Sequence, residues 1–338
     1  MNKKNKIIII IFAFLLLFMA GLFYFRYQVY YSHAKFVGTK TLEIAKGDGN
    51  KEVAVKLKEA NLISGEIYFY YYIKSQKLLS KIMPDTYELS GNMTIPEIVQ
   101  TITNSEEKFI KITFPEGFTA RQMAEKLTAS GLPGQEFLAI VNNPGELKKR
   151  YSYLTPEKIK TLEGFLFPDT YFFKKDTLAK DIVGRLLDTF DQKLTDQMKK
   201  DILNQNKSVG EIVIMASIIE KEVQTAEDMK TASGIFWKRI ASGQRLESDA
   251  PLSYILQDNN DQHSGKDLTL DSPYNTYRNI GLPPTPISNP GLSAINGAIY
   301  PTASKYNFFL TVTIDEKKEV IFSATFDEHK ANRKKYGL

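Results

Sequence analysis

Ile44-Ala-Lys-Gly47, followed by Val53-Ala54-Val-Lys56-Leu57 and Leu62, returns at a constant offset as Phe114-Pro-Glu-Gly117, followed by Met123-Ala124-Glu-Lys126-Leu127 and Leu132. Each copy opens on a short strand-like run, breaks at a glycine and continues with apolar residues at helical spacing. A second element recurs around them. Pro84-Asp85-Thr86-Tyr87 precedes Ile98-Val99, and Pro168-Asp169-Thr170-Tyr171 precedes Ile182-Val183 at the same distance. Both copies therefore read as strand, helix, Pro-Asp-Thr-Tyr strand and helix, the second expanded in its middle. The repeated residues read as turn and core positions of a small module, and the fold class is α+β, with a repeated α/β region over 38–205.

Upstream of the repeat, Ile7 to Phe25 is an uncharged apolar run, long enough as a helix to cross a bilayer core of about 30 Å. Lys3, Lys4 and Lys6 precede it, and Tyr24, Tyr27, Tyr30 and Tyr31 cluster at its far end like an interfacial aromatic belt. The charge bias predicts a cytoplasmic tail over 1–6, a transmembrane anchor over 7–27 and a remainder outside the cytoplasm. The run is long for a cleaved signal peptide, and Phe18 occupies position −3 of the cleavage point after Ala20.

Downstream, periodicity predicts helices over 178–204, 209–225 and 226–242, the last ended by Gly243. From Gln244 to Ala303 the texture changes to Pro, Gly, Asn, Ser and Tyr, which predicts an irregular and functional segment. A hairpin, Phe308–Ile314 and Glu319–Thr325 around Asp315-Glu-Lys-Lys318, and a short polar helix close the chain. The length of 338 residues accommodates roughly two or three compact units.

Composition removes several function classes. The formal charge is only +5 and partly sits before the apolar run, with no basic stripe and no phosphate-binding loop, so nucleic acid is not a partner. There is no cysteine, and His33, His263 and His329 lie far apart, which argues against a metal cluster or a Ser–His nucleophile.

The remaining chemistry concentrates in Glu211-Ile-Val-Ile-Met-Ala-Ser-Ile-Ile-Glu-Lys-Glu-Val223. Ile212, Met215, Ala216, Ile219, Val223 and Ala226 form an apolar stripe. Glu222 projects roughly 50° from its centre and Glu220 about 110°. Glu222 is therefore expected to be the more desolvated carboxylate, with a pKa raised toward the range useful for a general acid. Glycoside hydrolases normally pair two carboxylates across the bond. Glu220 and Glu222 point apart, and Glu163, Asp169 and Asp249 are candidates for a second acid, none of them singled out by its sequence context.

Met215-Ala-Ser-Ile-Ile-Glu-Lys-Glu222 resembles the signature helix of the MltG/YceG-like endolytic murein transglycosylases. So do Leu162-Glu-Gly-Phe-Leu-Phe-Pro-Asp-Thr-Tyr171, Tyr274-Asn-Thr-Tyr277 and Gly281-Leu-Pro-Pro284 with Pro286-Ile287 and Pro290-Gly291. The motifs follow the family's order over roughly residues 40 to 338. The resemblance implies a membrane-anchored enzyme with a LysM-like portion and a catalytic domain, here 206–338. Its substrate would be nascent peptidoglycan, cut between N-acetylmuramic acid (MurNAc) and N-acetylglucosamine (GlcNAc) to leave 1,6-anhydro-MurNAc ends, which helps terminate strand elongation.

By motif position the family's catalytic glutamate falls on Glu222. One acid suffices, because the sugar's own C6 hydroxyl replaces water as nucleophile. Glu163, Glu220, Asp249, Tyr274, Asn275 and Thr276 become candidate substrate contacts. Glu163 and the Tyr274–Thr276 loop read equally well as structural hydrogen-bonders. Asp249 follows Glu247, which stands where the family's pattern has Gln, and His329 in the terminal motif reads as structural. No metal or organic cofactor is implied. Implied partners are glycan strands, the cytoplasmic membrane and, near the membrane, penicillin-binding proteins and other wall-synthesis proteins. A muramidase-type hydrolase and a non-catalytic glycan-binding scaffold are the alternatives from other classes.

Overall fold

In the computed structural model both repeat glycines, Gly47 and Gly117, take left-handed backbone angles, with φ of 109° and 76°. A side chain would be strained there, so the turn after each strand calls for glycine. The structure describes residues 3–34, 36–103, 110–154, 159–258, 263–314 and 317–337. The chain forms two compact units, Met1–Thr113 with Asp169–Lys175, and Phe114–Pro168 with Asp176–Leu338.

The first unit begins with α1 (Lys3–Tyr30), long and apolar enough to cross a membrane over Ile9–Tyr30. There follow β1 (Thr39–Ile44), α2 (Asn50–Glu59), α3 (Glu66–Ser75), β2 (Asp85–Ser90), α4 (Ile95–Thr103) and β3 (Ile110–Thr113), joined by β4 (Thr170–Phe173). β1 pairs antiparallel with β2, and β3 with β4, as two-stranded sheets. The repeat is kept to the residue: Leu42 faces Tyr87 in the first sheet, and Ile112 faces Tyr171 in the second. Val53, Leu57, Phe69, Ile73, Leu89, Ile98 and Ile102 form one buried core beneath β1 and β2. Ser90 Oγ and Asn92 Nδ2 donate to the Thr170 carbonyl at 3.0 and 2.6 Å. The tyrosines expected to form a membrane belt are partly engaged with protein, since Tyr24 and Phe25 meet Tyr68, and Tyr30 meets Tyr72.

The second unit opens with α5 (Ala120–Ala129), the repeat counterpart of α2. Its N-terminus is capped by Thr119, whose own N–H is held by Gln122 at 2.9 Å, as Glu52 holds the Gly49 N–H before α2. α6 (Gly134–Asn142) packs on α5 and on α7 (Ala179–Lys193). The single helix expected over 178–204 is two. Thr195 accepts from the Met198 N–H at 3.2 Å and starts α8 (Asp196–Asn204) as a new helix.

α9 (Val209–Glu222) is the axis of this unit, flanked by α8, α10 (Ala226–Ala241), α11 (Ala250–Leu256) and α12 (Leu292–Ile299). α11 and α12 fall inside the stretch expected to be irregular. α12 forms because burial of Ala294, Ile295, Ala298 and Ile299 outweighs a weak local helical signal. The chain ends with β5 (Phe308–Ile314), β6 (Lys317–Ser323) and α13 (Phe326–Tyr336). β6 starts earlier than the sequence predicted, with Ile314 facing Lys317; the expected turn residues Asp315 and Glu316 lie outside the described residues.

Gly164 fixes how closely the 162–167 segment approaches α9. Its φ is 89°, and a Cβ there would lie 2.4 Å from Pro286 Cβ and 2.8 Å from Val213 Cγ1. Gly164→Ala therefore combines backbone strain with overpacking. Urea unfolding should show a loss of about 2 kcal/mol or more.

Candidate active site

Ser208 and Glu211 start α9 as a reciprocal cap, Ser208 Oγ accepting from the Glu211 N–H at 3.2 Å and Glu211 Oε2 from the Ser208 N–H at 2.7 Å. The helix that follows is not amphipathic. Val213 and Ile218 are as fully buried as Ile212, Met215 and Ile219. The angular distinction expected between Glu220 and Glu222 is narrowed rather than lost: protein packs around both carboxyls, and Glu222 is the more deeply buried of the two. Burial pushes both carboxyls up to about 7.

Glu222 is the last residue of α9, at the negative end of the helix dipole, which also disfavours a carboxylate. Burial is the largest cause of its raised pKa. The Ser248 hydroxyl, donating to Glu222 Oε1 at 2.5 Å, opposes it, the Asp249 charge adds to it, and Arg239 and the Ala250 N–H pull the value down. Thr311 on β5 donates to the Glu222 carbonyl at 3.1 Å and fixes the backbone at that point. The side chain stays partly open toward a cleft of about 1480 Å³, shared with Glu163, Arg239, Asp249, Tyr254 and Tyr277.

Glu163 is only 5 % exposed, and burial takes its carboxyl to about 7. Its oxygens accept from the Ala120 N–H at 3.0 and 3.1 Å and from Asn289 Nδ2 at 2.8 Å, and Tyr254 is a further partner. Asn289 is fully buried, and its Oδ1 accepts from the N–H groups of Gly164 and Leu166 at 2.8 and 3.0 Å. Glu163 thus both lines the cleft and ties the start of α5 to the 289 loop. Glu220 turns elsewhere. It accepts from the Gly291 N–H at 2.9 Å, and the nearby Glu116 charge adds to the burial that raises its pKa. Asp169 belongs to the first unit, where its carboxylate holds the Thr170 N–H at 2.7 Å.

Asp249 precedes α11 and accepts from the Tyr277 hydroxyl at 3.1 Å. Asn275 and Thr276 are 0 % and 2 % exposed, with their polar groups spent inside the protein. Asn275 Nδ2 donates to the Leu268 and Leu270 carbonyls at 3.0 and 2.8 Å. Thr276 Oγ1 donates to the Ser248 carbonyl at 2.7 Å and accepts from the Ser248 N–H at 3.0 Å. Thr276 therefore clamps the residue that donates to Glu222. Tyr274 is half-buried, its ring 5.7 Å from that of Tyr254 and its hydroxyl 2.6 Å from Thr285 Oγ1.

Ser248, Arg239 and Tyr254 were not singled out by the sequence. Ser248 stands between Glu247 and Asp249, but nothing local indicates that it bonds a side chain 26 residues away. Arg239 donates to the Asn307 carbonyl at 3.1 Å and to the Leu246 carbonyl, so it braces the same loop from α10.

Two measurements follow from these environments. A carboxyl whose folded pKa is raised stabilises the fold below its ordinary pKa of 4.5, and that contribution is lost as pH rises through about 7. The protein should therefore unfold at lower temperature at pH 8 than at pH 5. Glu163→Gln should remove roughly 3 kcal/mol of that dependence. Ser248→Ala removes a bond that favours the ionised form, so carboxyl-carbon NMR titration should place Glu222 above its wild-type value.

Residues 42–335 match the family model described as the YceG-like family. The chain is 29% identical over 316 residues to the endolytic murein transglycosylase of Bacillus subtilis (strain 168), covering 88% of this chain and 85% of that protein. It is 28% identical over 319 residues to the endolytic murein transglycosylase of Streptococcus pneumoniae serotype 2 (strain D39), covering 86% of this chain but 57% of that longer relative. The crystal structure of a yceG-like protein from Listeria monocytogenes superposes with a TM-score of 0.60 at 30% identity, over 88% of this chain and all of that one. With a matched segment that takes in both units, the chain belongs to the YceG-like family.

Proposed function

We propose that this protein is an endolytic lytic transglycosylase of peptidoglycan, held at the outer face of the cytoplasmic membrane by α1. The observation that carries the reading is the Glu222 carboxyl, raised to about 7 and lining a cleft of about 1480 Å³. The relatives' activity points the same way.

In this reading Glu222 enters protonated and gives its proton to the glycosidic oxygen between MurNAc and GlcNAc as the C1–O bond breaks. The resulting carboxylate takes the proton of the MurNAc C6 hydroxyl, whose oxygen closes on C1. The acid is regenerated, no water is consumed, and the product is a 1,6-anhydro end. The intramolecular nucleophile removes the need for a second carboxylate to activate water. Asp249, close enough to raise the Glu222 pKa, keeps the proton in place before transfer, and Ser248 steadies the carboxylate after it. Tyr254, Tyr277 and Arg239 supply cleft groups suited to sugar hydroxyls and acyl oxygens. Thr276 and Asn275 act by shaping the loop rather than by touching glycan. The repeated α/β region stands where the family has its LysM-like portion, and cutting near the membrane ends strand elongation beside the synthases.

Glu222→Gln should lower cleavage of purified glycan by about 10²–10⁴-fold. Glu220→Gln should cost less; a larger loss would transfer the acid role to Glu220. Mass spectrometry should find product ends one water lighter than reducing ends, and reducing ends alone would make the enzyme a hydrolase. The rate should fall as pH rises through about 7, where Glu222 loses the proton it must donate.

A further inference from the structure

α1 runs unbroken from Lys3 to Tyr30, and its last turns belong to the core of the first unit. Val29 is 1 % exposed, in the same buried cluster as Leu57, Phe69 and Ile73. Gln28 is buried, and its side-chain oxygen accepts from the Ser64 hydroxyl. A flexible linker would let the folded unit float above a bilayer. Here the anchor is continuous with the core, so its register in the membrane sets the height of everything packed against it.

α3 is packed against it. The Tyr68 ring lies 6.4 Å from Tyr24 and 5.6 Å from Phe25, and the Tyr71 ring lies 6.4 Å from Phe25. Phe25 is the last residue of the uncharged run, and Arg26 follows. At 1.5 Å per residue, Ile7 to Phe25 spans roughly 28 Å, close to the hydrocarbon thickness, which puts Phe25 at its outer edge. Tyr68 and Tyr71 then stand at headgroup depth. The outward side of α3 suits that depth, since Ile67 and Tyr71, one turn apart, are 57 % and 52 % exposed and exposed Lys74 follows on the next turn. Tyrosine with flanking lysine is the composition of a bilayer interface.

We propose that α3 lies on the outer leaflet, with Ile67 and Tyr71 dipped into the lipid interface, as a second membrane contact beside the anchor. The proposal rests on the reading of α1 as an inserted anchor. It gives the first unit a fixed height at the membrane, with the lipid surface as the occupant of the exposed α3 face.

The test uses the full chain with Trp237→Phe, in phosphatidylcholine–phosphatidylglycerol vesicles, carrying a single tryptophan reporter as Phe14→Trp or Tyr71→Trp. Spin-labelled lipids with deep or shallow labels act as quenchers from the membrane, and acrylamide from the water. The expected result is quenching of the Phe14→Trp reporter by deep labels, and quenching of the Tyr71→Trp reporter by shallow labels, with blue-shifted emission. Tyr71→Trp fluorescence quenched by acrylamide alone, with Phe14→Trp still deep, overturns the α3 contact and leaves the anchor standing. Tyr71→Trp fluorescence shielded from both kinds of quencher also overturns it, because protein rather than lipid then covers the face. A Phe14→Trp reporter untouched by either lipid label overturns the anchor reading, and the proposal with it.

Discussion

Burial of the apolar run of α9 on nearly all sides is the constraint from which the rest of the second unit follows. An ordinary surface helix would leave its terminal glutamates in water, with ordinary acidity. Here every residue of the run from Ile212 to Ile219 except half-buried Ile214 is buried, so the helix carries Glu220 and Glu222 into protein with it. The negative end of the helix dipole adds to the cost of ionising Glu222. Few local contacts then oppose desolvation: one serine hydroxyl, one guanidinium and one backbone N–H. The balance leaves the carboxyl poised near neutrality, which is the property a proton donor and acceptor requires.

That poise depends on loops that have little regular structure of their own. Asn289 holds the N–H groups of Gly164 and Leu166 and the Glu163 carboxyl, while Thr276 clamps Ser248 by both its N–H and its carbonyl. Arg239 reaches the same loop from α10 and the start of the hairpin at Asn307. Buried polar groups of this kind are costly unless fully partnered, and here their partners are backbone groups that would otherwise be orphaned. The result is a hydrogen-bonded frame around the cleft, in which Glu163 and Thr276 read in sequence as candidate sugar contacts, and Asn289 and Arg239 do not. The unit retains three carboxyls raised to about 7, a cost in stability near neutral pH that structure alone does not require.

The repeat shows how one local pattern serves two settings. Both copies keep the glycine turn, the reach of a third-residue side chain back to the cap N–H, and the pairing of the first strand with the Pro-Asp-Thr-Tyr strand. In the first copy strand, helix and partner strand share one core, whereas in the second the strands count with the first unit and the helix with the second. The expansion between Leu132 and Pro168 supplies the Glu163-Gly164 segment, so the longer copy carries a buried carboxyl that the shorter one lacks.

Sequence by itself determined the α+β class, the register of the repeat, the apolar run that becomes α1, the extent of α9 and α10 to within a few residues, and Glu222 as a residue to examine. These are legible because they rest on short-range periodicity, turn chemistry and length. Tertiary structure alone decided that Glu220 and Glu222 are both desolvated, that Glu220 faces Gly291 rather than the cleft, that Thr276 and Asn275 look inward, and that Ser248 completes the Glu222 environment. It also decided that α12 is a helix and that the 178–204 pattern breaks at Thr195. Each of these depends on which distant segment fills the space beside a residue. A helical wheel carries no information about a second wall of protein, and a loop residue's partners are set by closure over many intervening positions rather than by its neighbours in the chain.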